Sequence, residues 1–178
     1  ADSNLGSTVF DAADQRRQLF PPSRDSAWNF ATFNPEGDRL ISVWQGALAL
    51  RDAATGQKIK DLPRDLVGGQ GATMPEWSPD GKWLAVVRLQ KASRDFALSD
   101  SGDLVILPYN NGAFGPAVTL ARATPGGTVH AWPSWSPDSR SLVFTSQRCG
   151  GVPCDGYDAR NSRLRLVRAI GDDGQPTA

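Results

Sequence analysis

Three segments of the chain repeat one pattern, and self-similarity of this kind constrains a fold more than any other feature of a sequence. They are 33–43 (FNPEGDRLISV), 77–87 (WSPDGKWLAVV) and 135–145 (WSPDSRSLVFT). Each runs from an aromatic anchor through a turn and a basic residue into an apolar stretch. The turn has Asn or Ser first, Pro second, Glu or Asp third and Gly or Ser fourth. That is the preference of a type I turn, because Pro presets φ at the second position and the Asn or Ser side chain can bond the backbone ahead of it. Each copy therefore reads as a hairpin. A second hairpin follows in every copy: 47–50 before AATGQ, 104–107 before NNGA and 164–167 before GDDGQ. Four antiparallel strands per copy result. The 18 Gly and 13 Pro leave no room for sustained helical periodicity, so almost no helix is expected.

The anchors Phe33, Trp77 and Trp135 are 44 and 58 residues apart, against about 40 to 45 for one four-stranded propeller blade. The longer interval contains an insertion at 91–102, between the second and third strands of its copy. Upstream, VFDAA at 9–13 resembles LRDAA at 50–54, and FPPSRD at 20–25 resembles LPRD at 62–65. The segment 8–20 thus reads as the outer hairpin of a further blade, and the inner strands are expected to start near Phe30, Met74 and Trp132.

At these residues the chain resembles the TolB-like propeller family, the WD-repeat-like blades of bacterial envelope proteins. The family signature is a Pro two before Trp, then Ser-Pro-Asp-Gly-Lys and an apolar strand. Pro75 with 77–82 matches throughout, and Pro133 with 135–140 departs by Ser139 for Gly. In the first copy, Ala31 replaces the Pro and Phe33 the Trp. The resemblance spans roughly 8–176. It implies an all-β fold, a β-propeller segment of about three and a half four-stranded antiparallel blades belonging to a larger propeller. The expected divisions are an outer hairpin at 8–25, blades at 26–67 and 68–124, and an incomplete blade at 125–178. An open arc exposes strand edges and blade faces, so further blades from the same or another chain are expected partners. The additional α/β domain that precedes the blades of TolB itself has no counterpart in this sequence.

Charge and hydropathy exclude several classes. Lys plus Arg and Asp plus Glu both number 19, so no excess positive field favours nucleic acid. Uninterrupted apolar runs such as 84–87 are far shorter than the roughly 18 residues of a membrane span. The chain starts at Ala1 without a charged-then-apolar leader, as a mature secreted chain or a fragment boundary would.

Strand parity places the loops. The short turns fall on one face of the blades, and the long segments 62–73, 91–102, 121–131 and 148–163 fall on the other, where binding residues concentrate on such scaffolds. The candidate binding residues are Trp28, Arg94, Phe96, His130, Trp132, Arg148 and Tyr157. Arg and aromatic side chains are enriched among those that dominate interfaces. The competing accounts are packing between blades for Phe30, Met74 and Trp132, a hydrogen-bonded structural role for His130, and an inter-blade donor role for Arg148. Trp28 and His130 are expected to touch solvent.

No catalytic constellation is expected. His130 is the single histidine and no GxSxG elbow occurs. Two Cys and one His cannot assemble a four-ligand zinc site. Cys149 and Cys154 flank GGVP, a spacing suited to a disulfide in an oxidising compartment, with two free thiols as the alternative. Asp155, Asp158 and Asn161 lack the pattern of a calcium loop, and 68–71 (GGQG) lacks the Lys-Ser/Thr of a phosphate-binding loop, so no cofactor or metal is expected. The reading is a non-catalytic protein- or peptide-binding scaffold, periplasmic or extracellular. The alternatives are the substrate-gating propeller of a prolyl oligopeptidase-type serine peptidase and a glycan or small-ligand binder.

Overall fold

The computed structural model describes residues 9–10, 18–20, 30–68, 70–90, 101–124, 127–149 and 161–177, the first two stretches by backbone alone. Strand β1 (Val9–Phe10) pairs antiparallel with β2 (Gln18–Phe20). A four-stranded antiparallel sheet follows, β3 (Phe30–Phe33), β4 (Arg39–Trp44), β5 (Ala47–Asp52) and β6 (Lys58–Asp61), in chain order. One helical turn, α1 (Arg64–Val67), leads into β7 (Gly71–Trp77), β8 (Trp83–Leu89) and β9 (Gly102–Asn110). Two short strands, β10 (Ala113–Phe114) and β11 (Val118–Ala121), both pair antiparallel with β9, so the outer position of this blade is split around Gly115 and Pro116. Proline has no N–H to give a ladder, which accounts for the break. The third antiparallel unit is β12 (Thr128–Trp135), β13 (Ser141–Arg148) and β14 (Ser162–Arg168), after which Ile170 bridges to Pro176 around a tight turn. The architecture is that of a β-propeller segment.

The repeated turn closes through its own side chains. Ser78 Oγ accepts from Trp83 N–H at 2.9 Å and donates to Asp80 Oδ1 at 2.6 Å, while Lys82 N–H reaches the same oxygen at 3.1 Å. Ser136, Asp138, Arg140 and Ser141 repeat the arrangement, and Asn34 Oδ1 takes the Arg39 N–H at 2.8 Å in the first copy. These hydrogen bonds, that from Ser136 first, hold the Asp138 carboxyl below its ordinary pKa. The fourth residue must adopt positive φ: Gly37 has +74°, Gly81 +70° and Ser139 +59°. Glycine takes that conformation freely, whereas a serine is strained in it. The Ser139 hydroxyl offsets part of that strain by accepting Asp80 N–H, from the neighbouring blade, at 3.0 Å.

Strand alternation then builds the core between blades rather than within them. Leu84, Val86, Val105 and Leu107 point from the second blade toward Ile41, Val43, Leu48 and Leu50 of the first. Their neighbours Ala85, Leu104 and Ile106 point the other way, onto Leu142 and Phe144 of the third. Trp77 lies in the first of these layers and Trp135 in the second, so each Trp anchor packs against the blade before it. Phe33 lies in register with Leu40, on the opposite side from Ile41, and is half exposed. Val129 pairs with Gly102 to join the second and third sheets. A Cβ at Gly102 would sit 2.8 Å from Val87 and 3.1 Å from Val129, so the junction requires glycine.

One expectation changes. The inner strands do not start near Met74 and Trp132 but at Gly71 and Thr128, and those two residues sit mid-strand at bulges where the register shifts. Both have positive φ, 51° and 56°. Each precedes a proline, whose missing N–H interrupts the ladder; the bulge absorbs the interruption and pairing resumes at Glu76 and Ser134. With Ala31 in place of Pro, β3 pairs with β4 without a break.

Candidate functional site

The bulges turn Met74 and Trp132 toward the inner edge of the sheets, where Phe30 joins them. The Trp132 ring meets Phe30 edge to face with centroids 6.0 Å apart, and Trp132 N–H approaches Met74 Sδ at 3.4 Å. Met74 is buried with Val87 and Ala131, while Trp132 remains more than a third exposed. Trp132 thus packs across the inner strands, as the packing account has it, while more than a third of its surface stays exposed.

A cavity of about 510 Å³ opens between the outer part of the second blade and the inward face of the third. Arg122 and Thr124 come from the segment after β11. Thr128 and His130 come from the start of β12, Ser146 and Arg148 from the end of β13, and 161–163 with Arg165 from the start of β14. All of these lie at the long-loop end. The ladder explains the convergence, since His130 pairs in register with Ser146, Ser146 with Arg163, and Phe144 with Arg165. Cross-strand partners share a face, so His130, Ser146 and Arg163 point the same way.

His130 corrects the expectation of solvent contact, being only 8% exposed. Nε2 lies 3.1 Å from the Arg122 carbonyl oxygen, which accepts its proton, and Phe144 stands edge-on at 5.2 Å. Nδ1 has no hydrogen-bond partner. Burial lowers the imidazole pKa below its ordinary value and Arg165 adds to this, against the opposing pull of the Arg122 carbonyl and the Asp103 carboxylate. Arg148 is exposed and makes no hydrogen bond or ion pair with the described residues. Trp28, Arg94, Phe96, Tyr157 and Cys154 lie outside the described residues. Cys149 is buried and disulfide-bonded. Of the expected residues, the structure brings together His130 and Arg148. It adds Arg122, Arg163 and Arg165, which sequence reasoning missed. The signal for Arg163 and Arg165 was the period-two alternation of Arg and Leu in SRLRLVR, read as one more apolar strand.

The second blade has a different solution at the equivalent place. Asp103, 4% exposed at its side chain, receives Arg88 Nη2 at 2.5 Å, Gln90 Nε2 at 2.9 Å and Ala123 N–H at 2.8 Å. That carboxylate is saturated and structural.

Comparison with known structures places the chain in the β-propeller class. It superimposes on hydrazine synthase of Kuenenia stuttgartiensis with a TM-score of 0.60 and 16% identity, covering 93% of this chain and 45% of that one. TolB from Acinetobacter baumannii matches with a TM-score of 0.53 and 17% identity over 93% of this chain and 40% of that one. A puromycin-hydrolyzing peptidase of Mycobacterium tuberculosis gives 0.56 and 15% over 98% and 27%. The chain spans less than half the length of each, and identities this low establish the fold alone. No family model matches the sequence.

Proposed function

We propose that the chain is a non-catalytic binding module, part of a propeller in the periplasm or outside the cell, that recognises a protein or peptide through its long-loop end. The observation that supports this reading is the convergence of two blades' long segments on one cavity at that end, with Trp132 more than a third exposed on the same inner strand as His130. The short-turn end offers hydrogen bonds already satisfied within each turn. A rigid scaffold with self-contained turns on one face and long segments on the other suits recognition by the latter. At the open side of the third blade, Leu164 and Leu166 are exposed to 75% and 72%. They alternate with residues that face the second blade, so they occupy the surface that a next blade covers in a propeller, from the same chain or another. The reading is tested by affinity recovery of partners from a native extract. The wild-type chain is compared with a variant carrying Trp132→Ala and Arg148→Ala, and with one carrying Lys82→Ala and Arg140→Ala at the other end. Selective loss of a partner in the first variant is expected; selective loss in the second overturns the face assignment. A hydrolase domain with a nucleophile elbow in the full-length reading frame would instead make the segment the gating propeller of a serine peptidase.

A further inference from the structure

We infer that the cavity around His130 is a binding site for a phosphate-class oxyanion, a small ligand or ligand group carrying two or more negative charges. Counting from the Trp anchors, Arg88 of the second blade and Ser146 of the third are equivalent, each eleven residues on. Arg88 pairs in register with Asp103, and Ser146 with Arg163. The second blade therefore neutralises this position internally with a buried ion pair, whereas the third has Ser146 in place of Arg88 and a cation, Arg163, in place of Asp103. The excess is not confined to one residue. Arg122, Arg148, Arg163 and Arg165 all line the cavity, and among the described residues no Asp or Glu does. None of the four guanidinium groups makes an ion pair or hydrogen bond with the described residues.

Four cations on one cavity repel one another, an arrangement that an anion of matching charge relieves. Guanidinium forks bind phosphate oxygens in pairs, with charge-assisted hydrogen bonds roughly twice as strong as neutral ones. A monocarboxylate offers two oxygens and one charge, too few for donors arriving from three segments of chain. Behind the arginines, His130 is more than nine-tenths buried and, with Nε2–H given to the Arg122 carbonyl, its unpartnered Nδ1 is an acceptor, which suits the acidic proton of a protonated oxyanion such as hydrogen phosphate. Ser146, Thr124 and Thr128 add hydroxyl donors around the same space. The cavity, at about 510 Å³, lies in the range of small-ligand sites, roughly 300 to 1,000 Å³. This inference does not rest on the proposed partner recognition.

Isothermal titration of the whole chain with pyrophosphate, inorganic phosphate and citrate tests the site, at about 0.15 M salt, where the Debye length of ~8 Å suppresses diffuse attraction. Saturable one-to-one binding of pyrophosphate is expected, weaker binding of phosphate, and an affinity loss of about tenfold or more in Arg163→Gln/Arg165→Gln. Arg140→Gln, which removes a cation paired with Asp172 at the short-turn end, should leave the affinity unchanged. Arg148→Gln, a single replacement of an exposed side chain, gives the same reading should the double variant lose its cooperative melting. Absence of saturable binding, or equal loss in Arg140→Gln, overturns the site. Citrate binding as tightly as pyrophosphate overturns its assignment to phosphate chemistry. A phosphorylated peptide that outcompetes pyrophosphate identifies the source as a modified polypeptide, and one that does not identifies a free anion.

Discussion

If the aromatic anchors hold successive blades together, removing them should cost stability in proportion to how far the preceding blade covers each. Trp77 is 5% exposed, packed among Ile41, Val43, Leu48 and Leu50, with Tyr109 at 4.9 Å and Phe114 at 5.7 Å between ring centroids. Truncating a buried Trp to Ala costs about 3 to 5 kcal/mol, the upper part of that range applying where neighbours cannot collapse into the space. Two strands flank Trp77 on a rigid sheet, so Trp77→Ala should lose about 4 kcal/mol. Phe33 is 49% exposed, and half of its transfer contribution is absent already. Phe33→Ala should therefore lose only about 1 to 2 kcal/mol. The indole nitrogens separate the two tryptophans further. Trp135 Nε1 donates to the Glu76 carbonyl at 3.2 Å, whereas Trp77 Nε1 is buried without a partner. Trp135→Phe forfeits a hydrogen bond of about 1 kcal/mol and Trp77→Phe does not. Urea denaturation followed by circular dichroism and by tyrosine fluorescence, with coincident transitions, gives the free energies. Equal costs for Phe33→Ala and Trp77→Ala would refute the layered packing.

The turn account predicts that Gly81→Ala, at φ +70° and with its new Cβ 3.1 Å from Glu36 Oε1, destabilises by about 1 kcal/mol or more. Ser139→Gly, which trades strain at φ +59° for the bond to Asp80, should fall within about 0.5 kcal/mol of wild type, both read from thermal midpoints. Asp103→Ala strands the largely buried Arg88 without its partner and should cost about 3 to 5 kcal/mol, measured by urea unfolding. The depressed pKa of His130 sets a sign for pH dependence. Its stabilising contribution is complete above the unfolded value of about 6.5 and is lost as pH falls through the lower folded value, because the unfolded chain binds the proton more readily. His130→Gln should therefore flatten the fall in urea midpoint between about pH 7 and pH 5; a steeper fall in the variant contradicts the burial argument.

The blades were legible because turn chemistry and strand alternation are local. Pro at the second turn position, Ser or Asn at the first and the following apolar run depend on nothing distant, and the anchors' spacing did the rest. The bulges were not legible. Met74 and Trp132 read as strand starts from their place three residues before the anchors. A residue before proline is ordinarily restricted to extended backbone, and their left-handed conformation goes with the pairing of β7 with β8 and of β12 with β13. His130 was legible as a long-loop-end candidate and, in the competing account, as a hydrogen-bonded structural residue, which is what its bond to the Arg122 carbonyl makes it. The enclosing Phe144 and Arg122 come from other elements and could not be named in advance. The arginine cluster stayed hidden for the same reason. Arg122 follows one blade's outer strand and Arg163 belongs to the next blade's third strand, and register alone brings them to one cavity.

The face assignment is the claim on which the functional reading turns, and amide hydrogen exchange on the complex with a recovered partner measures it most directly. The account predicts slowed exchange on binding at 122–124, 128–131, 146–148 and 161–163, with the turns at 34–38, 78–82 and 136–140 unchanged. Protection confined to those turns, with the long-segment end exchanging as in the free chain, would contradict it.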